Sequence, residues 1–331
     1  MSDDLAIAVD LGGTHIRVAV VSASGELSHR RDKATDAPEG PDAVIGRMAG
    51  LVEAVADHAD LPIEIPIGVA SPGPLDTRTG TVLFTPNLKG WRDVPLVDKL
   101  AAATGRRVAL ANDGNCGALG EARFGTAGGV HDLVYIALGT GIGGGIVTGG
   151  HLIDGLRGLA GEVGHVVVAM DGPRCTCGAI GCLESFAAGW AIQREAELVS
   201  RTADGEGILR VAAGRSLHAG VVGEAARQGD PAALGILGRA GRALGAAMGA
   251  FANLFNPSVF VIGGGVAHLE ELLLGPARTA MANYSFIDAR RDFTIRYSSL
   301  GDDTALYGAG ALAFSQFAST SQTSITATAA R

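Results

Sequence analysis

A repeat places the tightest constraint on how this chain can fold. The stretches IAVDLGGTHIRVAVV, from residue 7, and LVYIALGTGIGGGIVTGG, from residue 133, each read as an apolar strand, a glycine turn and a second strand. They align at an offset of 127 residues, pairing Leu11 with Leu138, Gly12 with Gly139, and Val20 with Val147. Because solenoid repeats have periods of roughly 20–50 residues, a repeat on this scale indicates a duplicated domain.

Apolar runs typical of strands alternate with helical patterns along the chain, which predicts an α/β architecture. The predicted strands lie at 5–10, at 16–21, after GELSHR, at 65–71, at 106–111 and within 254–267. The predicted helices lie at 41–60, from the Asn-Asp-Gly at 112–114 to Gly125, and at 302–317. A length of 331 residues allows two domains of ordinary size.

Charge and hydropathy exclude several classes of protein. The formal net charge is −8 and no Lys/Arg stripe stands out, so we expect no nucleic-acid partner. The start MSDDLAIAVDLGG lacks the basic region of a signal peptide, and no apolar stretch reaches the roughly 20 residues that span a bilayer. We therefore expect no membrane partner and a cytoplasmic location, where cysteines stay reduced.

Two glycine turns follow buried strands, DLGGT at 10–14 and LGTGIGGG at 138–145. Glycine lets backbone N–H groups approach phosphate oxygens, and Thr14 and Thr140 add hydroxyl donors. Neither turn is a P-loop, which ends in Gly-Lys-Ser/Thr, or a Rossmann fingerprint, which opens a helix. One such turn alone reads equally well as a hairpin. Two related turns in two related halves favour a nucleotide clamped between two lobes.

The stretch RRVALANDGNCGALGEARFG, at 106–125, brings Asp113 to the end of a strand. From the residues alone, Asn-Asp-Gly is turn chemistry and Asp113 is a plausible helix N-cap. The carboxyl end of a strand in an open α/β sheet is also where ligands bind. Both interpretations remain open at this point.

Three cysteines, Cys175, Cys177 and Cys182, share the glycine-rich stretch CTCGAIGCLES. A disulfide would leave one thiol over in a reducing compartment, and a redox pair prefers Cys-x-x-Cys. Zinc fits best, because the glycines allow tight folding around an ion. The fourth cysteine, Cys116, reads as a small core residue, whereas His165 is either a fourth ligand or a core histidine.

The chain resembles the ROK family of sugar kinases, transcriptional repressors and related proteins, through the motifs DLGGT, ANDGNCGALGE, GEVGH and CTCGAIGCLES, from about Ile7 to Gly310. The resemblance implies a two-lobed actin/hexokinase-like (ribonuclease H-like) ATPase fold, a duplicated domain with a central cleft. Its N-terminal α/β lobe would be 1–112, completed by a helix at about 302–318. The larger lobe would be 113–301 with a zinc loop at 165–184, followed by a flexible tail at 319–331.

The resemblance also implies roles for individual residues. Asp113 would be the catalytic base, and the sugar would contact Gly73, Asn87, Asn112, Asp113, Glu162, His165 and Glu184. ATP phosphates would lie on Gly12, Gly13, Thr14, Gly139, Thr140 and Gly141, with Gly263, Gly264 and Gly265 beside the adenosine. Asp10 would sit near Mg²⁺ through water. A structural Zn²⁺ would be bound by His165, Cys175, Cys177 and Cys182. On the residues alone, 70–76 and 85–91 are ordinary Pro/Gly loops and each glutamate reads as exposed.

The resulting prediction is an ATP-dependent hexokinase that converts glucose to glucose 6-phosphate, acting as a homodimer or homotetramer. One alternative is a kinase for mannose, fructose, N-acetylglucosamine or N-acetylmannosamine, since these sugars differ by one substituent around C2. A sugar-sensing repressor would need an N-terminal DNA-binding module, and the first glycine turn already starts at Asp10. A nucleotide-switched ATPase would have no use for a Cys₃His zinc site.

Overall fold

A computed structural model describes residues 4–85, 88–286 and 293–317 of the chain. The chain divides into two compact units. The first consists of Met1–Asn112 together with Ala305–Arg331, and the second is Asp113–Thr304. The first unit is therefore built from both ends of the chain, whereas the second is continuous.

Strands and helices alternate through the described residues. The strands are β1 (Leu5–Leu11), β2 (His15–Ser22), β3 (Leu27–Ala34), β4 (Ile67–Ser71), β5 (Leu75–Asp76), β6 (Thr81–Phe84), β7 (Arg92–Val94), β8 (Val108–Asn112), β9 (Leu133–Leu138), β10 (Ile142–Thr148), β11 (His151–Leu152), β12 (Val259–Gly263) and β13 (Thr294–Tyr297). The α-helices are α1 (Pro41–His58), α2 (Leu96–Thr104), α3 (Asp113–Arg123), α4 (Glu184–Ala187), α5 (Gly189–Val199), α6 (Glu206–Ala212), α7 (Ala219–Arg227), α8 (Pro231–Phe255), α9 (Glu271–Tyr284) and α10 (Thr304–Phe317). None of these helices combines the length and the apolar character needed to cross a membrane.

The first unit is organised around a five-stranded sheet in the order β3-β2-β1-β4-β8. Helix α1 starts with Pro41 in its first turn, where a missing N–H costs nothing, and buries Val44, Met48 and Val52 at helical spacing. Helix α10 packs against β4 at Gly68, where a Cβ would overlap the backbone of Ala309. The last helix of the chain thus completes the core of the first unit.

The second unit has its own five-stranded sheet, in the order β11-β10-β9-β12-β13. Its longest helix, α8, is N-capped by Asp230, whose side chain accepts a hydrogen bond from Ala233 N–H at 2.8 Å. Helices α8 and α9 approach at backbone distance because Gly241 and Gly245 have no side chain on the facing surface. A contiguous apolar core fills the space between these helices and the sheet.

The two sheets repeat one topology, which confirms the predicted α/β fold with a duplicated domain. Strands β9, β10, β11, β12 and β13 occupy the positions that β1, β2, β3, β4 and β8 occupy in the first sheet. Both hairpins have short turns: Leu11 pairs with Ile16 in the first, and Leu138 pairs with Ile142 in the second, whose turn is one residue shorter. The predicted boundaries differ slightly. The fourth strand starts at Ile67, and a 3₁₀ turn at Gly301–Asp303 precedes α10. The tail predicted at 319–331 lies outside the described residues.

Parallel pairing aligns the carboxyl ends of several strands within each unit. In the first unit, β4 pairs in parallel with both β1 and β8, and Ser71 faces Asn112 at the end of the ladder. In the second unit, β12 pairs in parallel with β9, and Gly263 faces Ala137. Because ligands in open α/β sheets bind beyond the carboxyl ends of the strands, these two edges are where a site is expected.

Candidate functional site

The residues predicted to form the site divide between the two units. The first unit contains Asp10, Gly12, Gly13, Thr14, Gly73 and Asn112. The second unit contains Asp113, Gly139, Thr140, Gly141, Glu162, His165, Cys175, Cys177, Cys182, Glu184, Gly263, Gly264 and Gly265. Asn87 lies outside the described residues.

Asp10 lies near the end of β1 and pairs with Arg17 across the hairpin. The Asp10 side chain is buried, and its Oδ2 atom is 3.1 Å from Nη1 of Arg17. The two residues are direct neighbours in the antiparallel register. Sequence analysis did not single out Arg17. A two-strand register counted outward from the glycine turn would have found it, because Leu11 pairs with Ile16 and the next pair outward is Asp10 with Arg17.

The two glycine turns use their first amide internally. Gly12 N–H donates to His15 O and Gly139 N–H donates to Gly141 O, each at 2.9 Å. These two amide groups therefore stabilise the turns themselves. The candidate donors to phosphate are the N–H groups further along each turn. Helix α5 holds the second turn in place, since Gly189 N–H donates to Gly139 O at 2.9 Å.

Gly73 and Asn112 come together at the edge of the first sheet. A Cβ at Gly73 would lie 3.1 Å from Nδ2 of Asn112, which is tighter than most side-chain contacts. Asn112 is the last residue of β8 and remains partly exposed. The absence of a side chain at Gly73 thus keeps space in front of the Asn112 amide.

Asp113 is the first residue of α3, directly after β8. Its Oδ1 atom accepts a hydrogen bond from Gly114 N–H at 2.8 Å, and the residue is exposed. A helix N-terminus favours a negative charge, which suits an acidic side chain at this position. An oriented and exposed carboxylate of this kind can accept a proton from a bound hydroxyl group.

Helix α3 begins in backbone contact with β10. A Cβ at Gly114 would lie 2.5 Å from both N and O of Gly144, whereas a Cβ at Gly143 would meet nothing within 4 Å. Gly114→Ala should therefore lower the free energy of unfolding by about 1–3 kcal/mol, the usual cost of overpacking. Gly143→Ala, next to Gly144 in β10, is the matched control and should leave the free energy of unfolding within about 1 kcal/mol of the original value. Denaturant unfolding measures both. Equal stability of the two variants would contradict the close approach.

Four potential metal ligands gather in one cluster, His165, Cys175, Cys177 and Cys182. One ligand atom from each lies within 4.8 Å of the others. The Sγ atoms of Cys177 and Cys182 are 3.8 Å apart, and Sγ of Cys175 is 3.7 Å from Nδ1 of His165. A disulfide needs about 2.05 Å between its sulfur atoms, so the cysteines are free thiols.

These distances fit a tetrahedral zinc ion. Zn–S bonds of about 2.3 Å at tetrahedral angles place sulfur ligands about 3.8 Å apart, and a histidine nitrogen about 3.5 Å from sulfur. Burial and the neighbouring thiols raise the pKa of Cys182 to about 12 in the absence of a cation. Three thiolates at this site therefore require a compensating positive charge. Four protein ligands leave no open position, which is typical of structural zinc.

Glu184, the first residue of α4, is buried between the cysteine cluster and the second glycine turn. Its Oε2 atom accepts a hydrogen bond from Ile142 N–H at 2.9 Å, and Oε1 accepts one from the Thr176 hydroxyl at 3.0 Å. Sγ of Cys175 is 3.6 Å from the same Oε1 atom. The cysteine loop thus orients Glu184. Thr176 was not predicted to contact Glu184, although it lies between Cys175 and Cys177 in the sequence.

Glu162 precedes a 3₁₀ turn at Val163–His165, on a loop held by α3. Nδ2 of Asn115 donates to Ala160 O at 3.3 Å, and the Asn115 side chain fills the space beside Gly161. Gly161 has a φ of 87°, which favours glycine. Asn115 therefore fixes the backbone that carries Glu162.

The Glu162 carboxyl group keeps exposed surface, yet surrounding protein atoms displace part of its water. This partial burial raises the pKa of Glu162, His165 acts against the shift, and Glu184 adds to it. Glu162 is therefore protonated more readily than an ordinary glutamate. Its carboxyl oxygens can accept hydrogen bonds from a polar ligand.

Residues 263–265 border a cavity of about 390 Å³ in the second unit. Its other walls include Glu270, Tyr297, Ser298 and Asp302. Gly264 has a φ of 83°, and a Cβ there would overlap the carbonyl group of Leu138. The cavity combines backbone surface with an aromatic ring and polar groups, which suits a flat heterocycle bearing polar substituents.

The chain is similar to known proteins over almost its whole length. The chain matches the ROK family model over residues 6–316. It is 38% identical over 307 residues to a glucokinase of Thermotoga maritima, covering 92% of this chain and 96% of the relative. It is similar to the structure of a ROK hexokinase from Thermus thermophilus, with a TM-score of 0.81 and 33% identity, covering 94% of this chain and 98% of that chain. A ROK family glucokinase from Streptomyces griseus, solved in complex with glucose and AMPPNP, has a TM-score of 0.75 and 35% identity, covering 92% of this chain and 98% of that chain.

Proposed function

Because the chain belongs to the ROK family, we propose that it acts as an ATP-dependent glucokinase. It has the actin/hexokinase-like fold of that family, and its relatives include the Thermotoga glucokinase and a glucokinase structure that holds glucose and AMPPNP. The observation that carries the proposal is the placement of Glu184. A buried carboxylate is held by a Cys₃His cluster on one side and by a glycine turn on the other.

Asp113 is the proposed general base. It takes the proton from the 6-hydroxyl of glucose while that oxygen attacks the γ-phosphorus of ATP. The bond between the γ-phosphorus and the β,γ-bridging oxygen breaks, and ADP leaves with the electron pair. Because the transition state for phosphoryl transfer is loose, a carboxylate of ordinary basicity is sufficient.

Glucose is proposed to bind Gly73, Asn87, Asn112, Asp113, Glu162, His165 and Glu184. Sugar hydroxyl groups are both donors and acceptors, so the acidic side chains accept from them while the Asn112 amide donates. Glu162 and Glu184 are the residues for which the surroundings give a physical reason for this role. Glu184 is oriented by its fixed partners, and Asn115 fixes the backbone that carries Glu162.

The phosphates of ATP are proposed to lie on the two glycine turns, 12–14 and 139–141, with the adenosine beside 263–265. A Mg²⁺ ion bound with ATP would neutralise charge that develops on the phosphoryl group. Asp10 would orient the waters of that ion, and the ion pair with Arg17 holds its carboxylate in position. The cavity beside 263–265 has a size and lining that suit adenosine.

The cysteine cluster is proposed to hold a structural zinc ion. His165 and the three cysteines would be its ligands, and the ion would stiffen the loop without taking part in the reaction. A stiffer loop would restrict the movement of Thr176 and, through the hydrogen bond between them, that of the Glu184 side chain. A cytoplasmic location and a homodimer or homotetramer remain predictions.

A panel of sugars with Mg²⁺ and ATP tests the proposal by measuring the release of ADP. Release should require a sugar, and kcat/KM for glucose should exceed that for mannose, fructose, N-acetylglucosamine and N-acetylmannosamine by roughly tenfold or more, as expected when buried polar groups recognise a hydroxyl. The product should carry its phosphate on the 6-position by phosphorus NMR. A higher kcat/KM for another sugar would replace glucose as the substrate. ADP release that no sugar accelerates would contradict a kinase.

A further inference from the structure

Glu121, on helix α3, is a fully buried carboxyl group that the proposed reaction does not use. Burying an ionisable group is costly unless hydrogen bonds compensate for the lost water. Burial raises the pKa of Glu121, and hydrogen bonds from Ser298 and Thr126 act against that shift. The second unit keeps this group in its interior even though an apolar side chain would be easier to bury there.

Two hydrogen bonds account for the two carboxyl oxygens of Glu121. Oε2 accepts from Thr126 N–H at 3.0 Å, and Oε1 accepts from the Ser298 hydroxyl. Gly125 makes room for the carboxyl group, since a Cβ there would overlap Oε2. The contact with Ser298 joins residues 177 positions apart in the chain.

Ser298 connects Glu121 to the cavity beside 263–265. The residue follows β13 and lines that cavity together with Gly301 and Asp302. Its Oγ atom accepts a hydrogen bond from Leu300 N–H at 3.3 Å. The hydroxyl of Thr304 donates to Gly301 O at 2.7 Å, which closes the same turn. We call residues 298–302 the cavity wall.

The geometry points to Glu121 as a positioning residue for the nucleotide, acting through Ser298 on the cavity wall. This inference rests on the proposed function, in which the cavity holds adenosine. Helix α3 has 11 residues and begins at Asp113, so one rigid element carries the proposed base and the anchor of the cavity wall. Glu121 thereby ties the position of the nucleotide to the helix that supplies the base.

The affinity for AMPPNP, measured by calorimetry on the full chain, tests the role of Glu121. Glu121→Gln keeps the shape of the side chain and lacks the negative charge, while Ser298→Ala removes the hydroxyl from the other side. Each should weaken AMPPNP binding by roughly tenfold, since hydrogen bonds to charged groups are among the stronger ones. The double variant should bind AMPPNP no more weakly than the weaker-binding of the two single variants, because both substitutions break the same hydrogen bond between Glu121 and Ser298.

Kinetics separate positioning from a general loss of structure. The KM for ATP should rise in parallel with the dissociation constant, while the KM for glucose and kcat at saturating ATP stay within about twofold of the original. Ser258→Ala is the matched control. Ser258 lies at the opposite end of β12, where its hydroxyl donates to Asp132 O at 2.9 Å, and its loss should leave AMPPNP affinity unchanged.

The outcomes distinguish this inference from the proposed function. Unchanged AMPPNP affinity in folded Glu121→Gln and Ser298→Ala would overturn the inference and leave the kinase intact. If Glu121→Gln fails to fold, Ser298→Ala alone decides. If the original protein does not bind AMPPNP, both the inference and the proposed function are overturned. Equal losses in glucose affinity, ATP affinity and kcat would reduce Glu121 to a structural residue and also overturn the inference.

Discussion

Asp113→Asn is expected to retain the fold and the affinity for glucose while losing roughly 10²–10⁴-fold in kcat, the range that general-base catalysis supplies. Asparagine keeps the size of the side chain, and its amide oxygen can still accept from Gly114 N–H, so the start of α3 should form normally. It cannot take a proton from the attacking hydroxyl. Glucose binding by calorimetry and ADP release under saturating substrates measure the two effects separately.

Asp98→Asn provides the matched control for this variant. Asp98 is an exposed acidic residue in the first turn of α2, as Asp113 is in the first turn of α3. Its replacement should leave kcat unchanged. Near-normal turnover in Asp113→Asn would refute the assignment of the base, and an equal loss in both variants would attribute the effect to the helix terminus.

Cys177→Ala should release the metal and raise the KM for glucose by roughly 10–100-fold, the usual cost of disturbing groups that support a metal-organised site. The purified original protein should contain about one zinc per chain by elemental analysis. Cys177 is the exposed member of the cluster, so its truncation removes a ligand with little loss of packing. The weakened sugar binding should follow from the freed loop no longer orienting Glu184.

Two companion variants separate zinc from its effect on Glu184. Cys116→Ala changes a buried cysteine outside the cluster and should retain both zinc and glucose affinity. Thr176→Val removes the hydroxyl that donates to Glu184 and should retain zinc while raising the KM for glucose by roughly tenfold. Unchanged glucose affinity in zinc-free Cys177→Ala would contradict the proposal that the metal supports the sugar site.

Local spacing predicted much of the fold and of the site because the relevant signals are short in sequence. Strand, glycine turn and strand follow one another directly in 5–22 and 133–148, and their shared offset predicted the duplication. Three cysteines within eight residues likewise predicted the Cys₃His cluster. The small sheet of β5, β6 and β7 was not predicted, because strands of two to four residues carry too few side chains to show a period.

Contacts between distant residues could not be predicted in the same way. Glu121 meets Ser298 because β9, β12 and β13 lie side by side in one sheet, and that order follows from packing. Nothing in the sequence around Glu121 indicates that its side chain meets a residue 177 positions away. Arg17 and Thr176 were missed for a related reason, since each acts by holding a predicted residue.

The first unit takes its last helix from the end of the chain, and this arrangement affects the order of events during synthesis. A ribosome must translate every residue of Asp113–Thr304 before it makes Ala309, the residue whose backbone lies against Gly68. Until then the nascent sheet of β1 to β4 and β8 lacks the cover that α10 provides. The continuous second unit can reach its native state first, although the chain begins with the other one.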